Sequence, residues 1–233
     1  MLKQLVNRVL GAAGYGIVRV RDPYLEMARA LGADSVHHVV DGGAYRGKTV
    51  LRFREVFPGA VIHAFEPQQE SFDFLRERVG ALDRVHLHRT ALSDGSGERT
   101  FFVNEAAYTS SLLPARTPAM REVGQRVVET RTLDAVMSAA GSPHVDAIKL
   151  DLQGHELAAL RGAERTLQHC RALLVEVNFR HRYEGACSFE ECRGGDAAEF
   201  EMRLVNPLLL AGKELKTLPD PGEVDEFIDI YPR

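Results

Sequence analysis

Five short apolar runs along the chain have the length and the Val, Ile and Leu content of buried strands. They lie at residues 38–41, 60–65, 85–89, 145–150 and 172–177. The stretches between several of them repeat their apolar residues at helical spacing, at 48–57, 69–79, 133–140 and 154–160. Such alternation predicts an α/β fold: a Rossmann-like, doubly wound, mostly parallel sheet with helices on both faces.

The predicted sheet occupies most of the chain. The 233 residues are enough for one substantial domain, which we place at residues 36–233. Residues 1–35 form a predicted helical and strand extension packed on that core, with a helix at 23–31. The tail at 193–233 shows no clear strand register, and 227–231 is the segment we predict as the last strand.

A glycine turn follows the first predicted strand. Asp41 ends the strand, Gly42 and Gly43 break it, and Gly47 opens the next helix. Glu66 ends the second strand roughly 20 residues further on, which is the layout of a βαβ nucleotide-binding unit. Glycines let the backbone approach a ligand closely. The acid at the strand tip can accept hydrogen bonds from both hydroxyls of a ribose.

Three ligand classes compete for this turn. Residues 42–49 read G-x-x-x-x-G-K-T, a formal phosphate-binding loop, but Asp41 would repel phosphates held there. A dinucleotide is disfavoured because Ala44 replaces a glycine that the pyrophosphate needs. A carboxylate beside the turn suits a positively charged ligand. We therefore predict S-adenosylmethionine, which carries an amino group and a sulfonium, as the cofactor.

Ligands of doubly wound sheets lie outside the carboxyl ends of the strands, and this rule gathers one site from distant parts of the chain. We expect Asp41 to face the amino group of the cofactor, Glu66 to bind the ribose, and Ser93 to lie near the adenine edge. The predicted cofactor-binding residues are Asp41, Gly42, Gly43, Ala44, Gly47, Glu66, Pro67, Ser93, Asp94 and Asp151.

Methyl transfer to a hydroxyl benefits from a general base. Asp151, His155 and Lys149 are the predicted catalytic residues, because they surround the end of the fourth strand. For Lys149 the alternative is a structural ion pair with Glu176, and for His155 it is a helix cap.

The predicted acceptor contacts lie in a loop of weak periodicity and after the later strands. They are Tyr108, Ser110, Ser111, Glu156 and His181. We predict no metal, although Asp151, Glu156 and Glu176 leave an oxygen-rich cation site open as an alternative.

Composition narrows the function classes. A formal net charge of −4 disfavours a nucleic-acid partner. No apolar run reaches the 18 residues of a membrane span, so we expect a cytoplasmic protein without stable membrane insertion. The expected partner is a small-molecule or glycan acceptor, and the sequence is compatible with a homodimer.

Six motifs occur in an order that resembles a known family. They read VVDGGA at 39–44, FEP at 65–67, ALSD at 91–94, RTLD at 131–134, IKLDLQGHE at 148–156 and LRGA at 160–163. Together they resemble the FkbM-type S-adenosylmethionine-dependent methyltransferases over roughly residues 36–185. The resemblance implies a class I methyltransferase fold and O-methylation of a sugar, polyketide or other natural-product scaffold.

Two features depart from that family: Gln153 stands where Glu is frequent, and the tail from Arg193 lacks the expected closing strand pair. Two other classes stay open. An NAD-dependent oxidoreductase would need a group such as Tyr-x-x-x-Lys, which Tyr45, Tyr108 and Tyr183 do not start. A nucleoside-binding module would bind the cofactor without turnover.

Overall fold

The computed structural model describes residues 22–141, 144–176 and 182–186, together with the backbone of 202–205 and 208–211. The helices of this part are α1 (Pro23–Leu31), α2 (Lys48–Val56), α3 (Gln69–Val79), α4 (Leu133–Ala139), α5 (Glu156–Arg161) and α6 (Glu164–Leu167). Its strands are β1 (His38–Gly42), β2 (Val61–Phe65), β3 (Val85–His88), β4 (Ala91–Leu92), β5 (Gly97–Asn104), β6 (Glu122–Arg131), β7 (Ala147–Leu150), β8 (Ala172–Glu176), β9 (Met202–Val205) and β10 (Leu208–Ala211).

The main sheet has the order β3-β2-β1-β7-β8-β10-β9. The five strands from β3 to β8 are parallel, and β10 pairs antiparallel with both β8 and β9. The prediction of a doubly wound, mostly parallel Rossmann-like sheet is therefore confirmed. The described closing strands lie at 202–211, where the sequence analysis placed no strand pair, and the predicted strand at 227–231 lies outside the described residues.

Alternation along the parallel strands builds a hydrophobic core on each face of the sheet. On β1, Val39 packs on the face with Phe53 and Leu75, from α2 and α3. Its neighbour Val40 packs on the opposite face, with residues of α4 and α5. Because successive strand side chains point to opposite faces, a parallel sheet buried on both sides needs near-continuous apolar strands. That is the pattern from which the strands were predicted.

Local interactions stabilise the start of helix α1. The Asp22 carboxylate accepts hydrogen bonds from the backbone N–H groups of Tyr24 and Leu25, and Pro23 occupies the first turn. The Tyr24 ring meets the Phe53 ring edge-on at 5.4 Å, which fixes α1 against α2. The predicted helix at 23–31 is confirmed. Within the described residues, we find no helix whose length and apolar content would let it cross a membrane.

A second, three-stranded sheet lies between β3 and β7 in the chain, with the order β4-β6-β5. The residue pattern predicts only two short β-prone pieces in this region, at 99–103 and 127–130. The structure shows a long antiparallel pair, from Gly97–Asn104 to Glu122–Arg131. The segment between these strands includes the loop at 105–111, which returns to pair Ser111 with Phe102. The hairpin thus brings the least periodic stretch of the sequence to the edge of the main sheet.

Four histidines stack across β1, β2 and β3. His63 is 3% exposed, and its ring lies within 5.1–6.0 Å of the rings of His38, His86 and His88. Its Nδ1 is 3.3 Å from His88 Nε2, while its buried Nε2 has no hydrogen-bond partner among the described residues. Burial, followed by the neighbouring imidazoles, lowers the pKa of His63 to about 3. Burial likewise lowers the pKa of His88 to about 4.

These depressed pKa values predict acid sensitivity. In the unfolded chain His63 binds a proton below about pH 6.5, whereas in the folded chain it does so only below about pH 3. Between these two values protons bind preferentially to the unfolded chain, so the free energy of unfolding falls as the pH decreases. The slope for one such group is at most about 1.4 kcal/mol per pH unit. Urea unfolding between pH 7.5 and 4.5 should show a shallower decline for His63→Leu than for the wild type.

The exposed His37 supplies the control for this measurement. His37→Leu should retain the wild-type slope, because its ring lies outside the stack. An unchanged slope in His63→Leu would show that the stack does not set the acid limit of the fold.

Candidate active site

A cavity of about 340 Å³ opens at the carboxyl ends of the parallel strands. Its wall includes Tyr45 from the β1–α2 loop, Glu66 after β2, Lys149 and Asp151 from the end of β7, and Glu176 from the end of β8. This volume falls within the range of roughly 300–1,000 Å³ that is usual for small-ligand sites. The structure therefore brings the ends of β1, β2, β7 and β8 together at one cavity, as the strand-end rule predicts.

The glycines of the turn have two roles: some line the cavity, and others allow close packing against neighbouring segments. Gly43 has φ +75°, and a Cβ at this position would lie 1.9 Å from the carbonyl oxygen of Asp151. No other residue fits there, so the turn lies directly against the exit of β7. Gly43 and Ala44 line the cavity. Gly42 and Gly47 instead face Leu150 and Leu75, so their predicted contact with the cofactor is corrected to a packing role.

Glu66 is the best-defined acceptor on the cavity wall. Its Oε2 accepts from the backbone N–H of Tyr45 at 3.0 Å, and its Oε1 accepts from that of Gln68 at 2.9 Å. Each oxygen keeps a further lone pair, so the carboxylate can still accept from a diol. Burial raises the pKa of Glu66 to about 7, against the two backbone hydrogen bonds. Pro67, which follows it, also lines the cavity.

Asp41 does not reach the cavity. Its side chain is completely buried, and its Oδ1 lies 3.1 Å from Lys149 Nζ on the neighbouring strand. The expected contact between Asp41 and the cofactor is thus corrected: its charge partner is Lys149. Lys149 also donates to the carbonyl oxygens of Gly42 and Gly43 and lies 3.7 Å from Asp151. The alternative pairing of Lys149 with Glu176 is wrong, because Lys149 faces β1 rather than the end of β8.

The electrostatic balance around Lys149 keeps it charged. Burial alone would lower its pKa, but Asp41 and Asp151 outweigh burial and raise the pKa above the usual value. Lys149 therefore stays an ammonium ion and cannot take a proton from an acceptor. Its predicted catalytic role is better described as positioning Asp151 and the glycine turn.

Asp151 and Glu176 meet at the far end of the cavity. Gln153 lies between them and donates to Asp151 Oδ1 at 2.6 Å and to Glu176 Oε2 at 2.9 Å. Burial opposes ionisation of Asp151, but Lys149 and the hydrogen bonds from Glu176 and Gln153 outweigh it and lower its pKa. Burial and the charge of Asp151 together raise the pKa of Glu176 well above its usual value.

Glu156 lies behind this pair rather than on the cavity wall. Its Oε1 accepts from the backbone N–H groups of Leu152 and Gly154, and it is 2% exposed. Its predicted contact with the acceptor is therefore corrected to a structural one. Glu156, Asp151 and Glu176 have carboxylate oxygens within 4.8 Å of one another, which is the spacing a divalent cation would need. Two backbone donors already satisfy one oxygen of Glu156.

Ser93, Asp94 and His155 form a separate group beside the cavity. Ser93 is completely buried, and its Oγ lies 3.0 Å from His155 Nε2 and 3.1 Å from Asp94 Oδ1. Neither Ser93 nor Asp94 lines the cavity, and Asp94 pairs with Arg99 at the surface. Residues 90–92, which precede them, line the part of the cavity where Ser93 and Asp94 were expected. His155 does line the cavity, and its side chain does not cap α5.

The predicted acceptor loop also borders the cavity, next to Tyr45 and Gln153. Tyr108 is 64% exposed, and its ring contacts the Tyr45 ring edge-on at 6.4 Å. Ser110 lines the cavity but accepts from the backbone of Asn104, while Ser111 donates to the Gln153 carbonyl. These two hydroxyls hold the loop together. His181 lies outside the described residues.

Several cavity residues are absent from the predicted site, and the polar ones include Tyr45, Gln153 and Glu176, of which Glu176 was named only in the alternative ion pair and the alternative cation site. Glu176 had the right signal, because it ends a parallel strand. Gln153 stood inside the most specific motif and was noted only as a departure. Tyr45 carried no sequence signal, since its backbone φ of 46° and its hydrogen bond to Glu66 depend on the folded turn.

The buried Asp41–Lys149 pair generates a stability prediction. Asp41→Asn leaves an ammonium ion buried beside a neutral amide, which should cost about 3–5 kcal/mol of unfolding free energy. Asp73→Asn removes an exposed partner of Arg76 on α3 and should cost under about 1 kcal/mol. Urea unfolding at pH 7.5 measures both.

The double variant Asp41→Asn/Lys149→Met tests the cause of that loss. It should be more stable than Asp41→Asn alone, because the unpaired charge has been removed. If Asp41→Asn and Asp73→Asn lower the free energy of unfolding equally, the buried Asp41–Lys149 pair does not stabilise the fold in this way.

Two curated relatives match the chain. The 2-O-methyltransferase NoeI of Sinorhizobium fredii is 31% identical over 159 residues, which cover 63% of this chain and 65% of the relative. The hexuronic acid methyltransferase AglP of Haloferax volcanii is 29% identical over 120 residues, which cover 51% of this chain and 48% of the relative. The chain thus spans about half to two thirds of the length of these relatives.

A solved structure also resembles the fold. It is a putative rRNA methylase from Clostridium thermocellum, with a TM-score of 0.48, 13% identity and coverage of 83% of this chain and 96% of that one. This structural similarity is too distant to add any conclusion to the strand order already described. The model of the methyltransferase FkbM domain matches residues 41–229, which include the glycine turn, Glu66 and the strand ends that form the cavity. The chain belongs to the FkbM methyltransferase domain family.

Proposed function

We propose that the protein is an S-adenosylmethionine-dependent O-methyltransferase that acts on a hydroxyl of a sugar. The observation that carries this proposal is the position of Glu66 on the cavity wall, with both carboxylate oxygens fixed by backbone donors and still able to accept. Membership of the FkbM family and the names of both relatives support methyl transfer. The name of AglP, a hexuronic acid methyltransferase, supports a sugar acceptor.

The residues on the wall fit the chemistry of this cofactor. Glu66 would accept from the ribose hydroxyls, Gly43 and Ala44 would lie along the methionine part, and residues 90–92 would border the adenine. The bound cofactor would supply an electrophilic methyl group on a sulfonium. The carboxylate of Asp151 borders the same cavity, which suits a cationic ligand better than a phosphate-bearing one. This charge pattern disfavours the NAD-dependent alternative.

Asp151 is the group we assign as general base. It lines the cavity, its side chain is 35% exposed, and Lys149 favours its ionised form. His155 is less suited, because it is 8% exposed and its Nε2 already lies within hydrogen-bond distance of Ser93 Oγ, at 3.0 Å. His155 would instead shape the wall through Ser93.

The assignment of Glu66 predicts a pH-dependent affinity. Its ionised form accepts from the two ribose hydroxyls more strongly than its protonated form, which places an O–H donor on one oxygen, and burial raises its pKa to about 7. Calorimetry should therefore show that S-adenosylhomocysteine binds more weakly at pH 6 than at pH 8, by up to about tenfold per unit below pH 7. NAD should not bind under the same conditions.

Glu66→Gln is the matched variant for this experiment. It should bind S-adenosylhomocysteine weakly at both pH values, because the amide offers a donor in place of one acceptor. NAD binding without S-adenosylhomocysteine binding would overturn the proposed cofactor.

The assignment of the base predicts unequal losses of turnover. In a transfer assay with methyl glycosides of neutral hexoses, deoxyhexoses and hexuronic acids, Asp151→Asn should lower turnover by roughly 10²- to 10⁴-fold. His155→Ala should lower it by less than about tenfold, which revises the equal roles expected from sequence. Calorimetry should show near-normal cofactor affinity in His155→Ala.

Two results would redirect this proposal. A larger loss in His155→Ala than in Asp151→Asn would return the base role to His155. Cofactor binding with no transfer to any sugar of the panel would favour the nucleoside-binding module over an enzyme acting on sugars.

A further inference from the structure

Gln153 joins the two carboxyl groups at the end of the cavity. Its Nε2 donates to Asp151 and Glu176, and its Oε1 lies 2.7 Å from the Tyr183 hydroxyl, which is a donor. The amide nitrogen therefore faces two acceptors and the amide oxygen faces a donor. This arrangement fixes the orientation of the amide, because the reverse orientation would place its oxygen against two carboxyl groups.

The backbone at Gln153 is held by other segments. Its φ of 56° lies in the left-handed region, which a residue with a side chain adopts only when its surroundings impose it. Ser111 Oγ donates to its carbonyl oxygen at 2.8 Å, and Tyr183, 1% exposed, packs beside the next residue, Gly154. This backbone conformation places the Gln153 amide between the ends of β7 and β8.

The carboxyl groups beside Gln153 outnumber the positively charged groups described near them. Among the described residues the nearest ammonium is Lys149, which lies 3.7 Å from Asp151 and also pairs with Asp41 at 3.1 Å. Two carboxylates held close together with so little compensation do not both ionise readily, and they titrate as a pair. Because Lys149 is beside Asp151, the negative charge is favoured there and the proton on Glu176. The lowered pKa of Asp151 and the raised pKa of Glu176 agree with this placement.

We propose that Gln153 is a positioning residue that holds Asp151 and Glu176 as a pair with one proton between them, ionised at Asp151 and protonated at Glu176. The inference rests on the proposed methyl transfer. In that reaction the acceptor oxygen would bond to the methyl carbon that the bound cofactor supplies, and the electrons of the C–S bond would stay with the cofactor as leaving group. The O–H bond of the acceptor would break and its proton would pass to Asp151. Both carboxyl groups would then be protonated, and one proton would leave to water.

A carboxyl ¹³C NMR titration of the full chain tests this arrangement without cofactor or acceptor. The two resonances are assigned by their loss in Asp151→Asn and Glu176→Gln. In the wild type at pH 7, Asp151 should be ionised and Glu176 protonated. Gln153→Leu removes the donor to Asp151 and should raise its titration midpoint by about one pH unit, a tenfold change in acid constant.

Gln168→Glu provides a charge-changing control. Gln168 is exposed and precedes β8, so it lies at the opposite end of the sheet from the cavity and should alter neither midpoint. If Gln153→Leu does not fold, Gln153→Glu replaces it, because its shape is nearly the same. The added carboxylate should raise the Asp151 midpoint further.

Two outcomes overturn the inference. One is a wild type in which both carboxyl groups are ionised at pH 7, and the other is a Gln153 variant whose midpoints equal those of the wild type. A purely structural role for Gln153 would lower stability without moving either midpoint. Failure of S-adenosylhomocysteine binding would overturn the proposed function instead, and it would leave this titration unaffected.

Discussion

The ammonium group of Lys149 is the point on which the structure of the site depends. It lies 3.1 Å from Asp41, donates to the carbonyls of Gly42 and Gly43, and reaches Asp151 at 3.7 Å. One buried cation therefore joins the last residues of β1 to the last residues of β7. A buried charge of this kind is tolerated only when its partners are well placed. The geometry of the turn and the ionisation of Asp151 are consequences of the same contact.

The fold was predictable because its signals are local. The parallel strands other than β3 carry apolar residues on both faces, and a glycine or a polar residue ends or directly follows each of them. Glu66 was also predictable, since the length of a βαβ unit fixes where its acid must lie. The prediction of strand ends needed no knowledge of how distant strands pair. These parts of the site follow from the periodicity of the chain and from one topological rule.

The remaining parts depend on contacts between distant segments. Asp41 looked like a ligand contact because it borders the glycine turn, yet register places it opposite Lys149 from a strand more than a hundred residues away. Ser93 looked like an adenine contact, but packing turned it toward His155. The long β5–β6 pair was underestimated because much of it is exposed and carries mixed polar residues, so its alternation is weak.

Tyr183 connects two parts of the site that are far apart in sequence. Its hydroxyl lies 2.8 Å from the carbonyl oxygen of Thr109 in the loop at 105–111 and 2.7 Å from Gln153 Oε1. A hydroxyl has a single hydrogen, so these two acceptors compete for it. A ligand that draws the loop away from Tyr183 would let that hydrogen turn fully toward Gln153. The amide would then become a more polarised donor to the two acids. Rotation of one phenolic bond would then link a ligand on this loop to the hydrogen bonds of the two carboxyl groups.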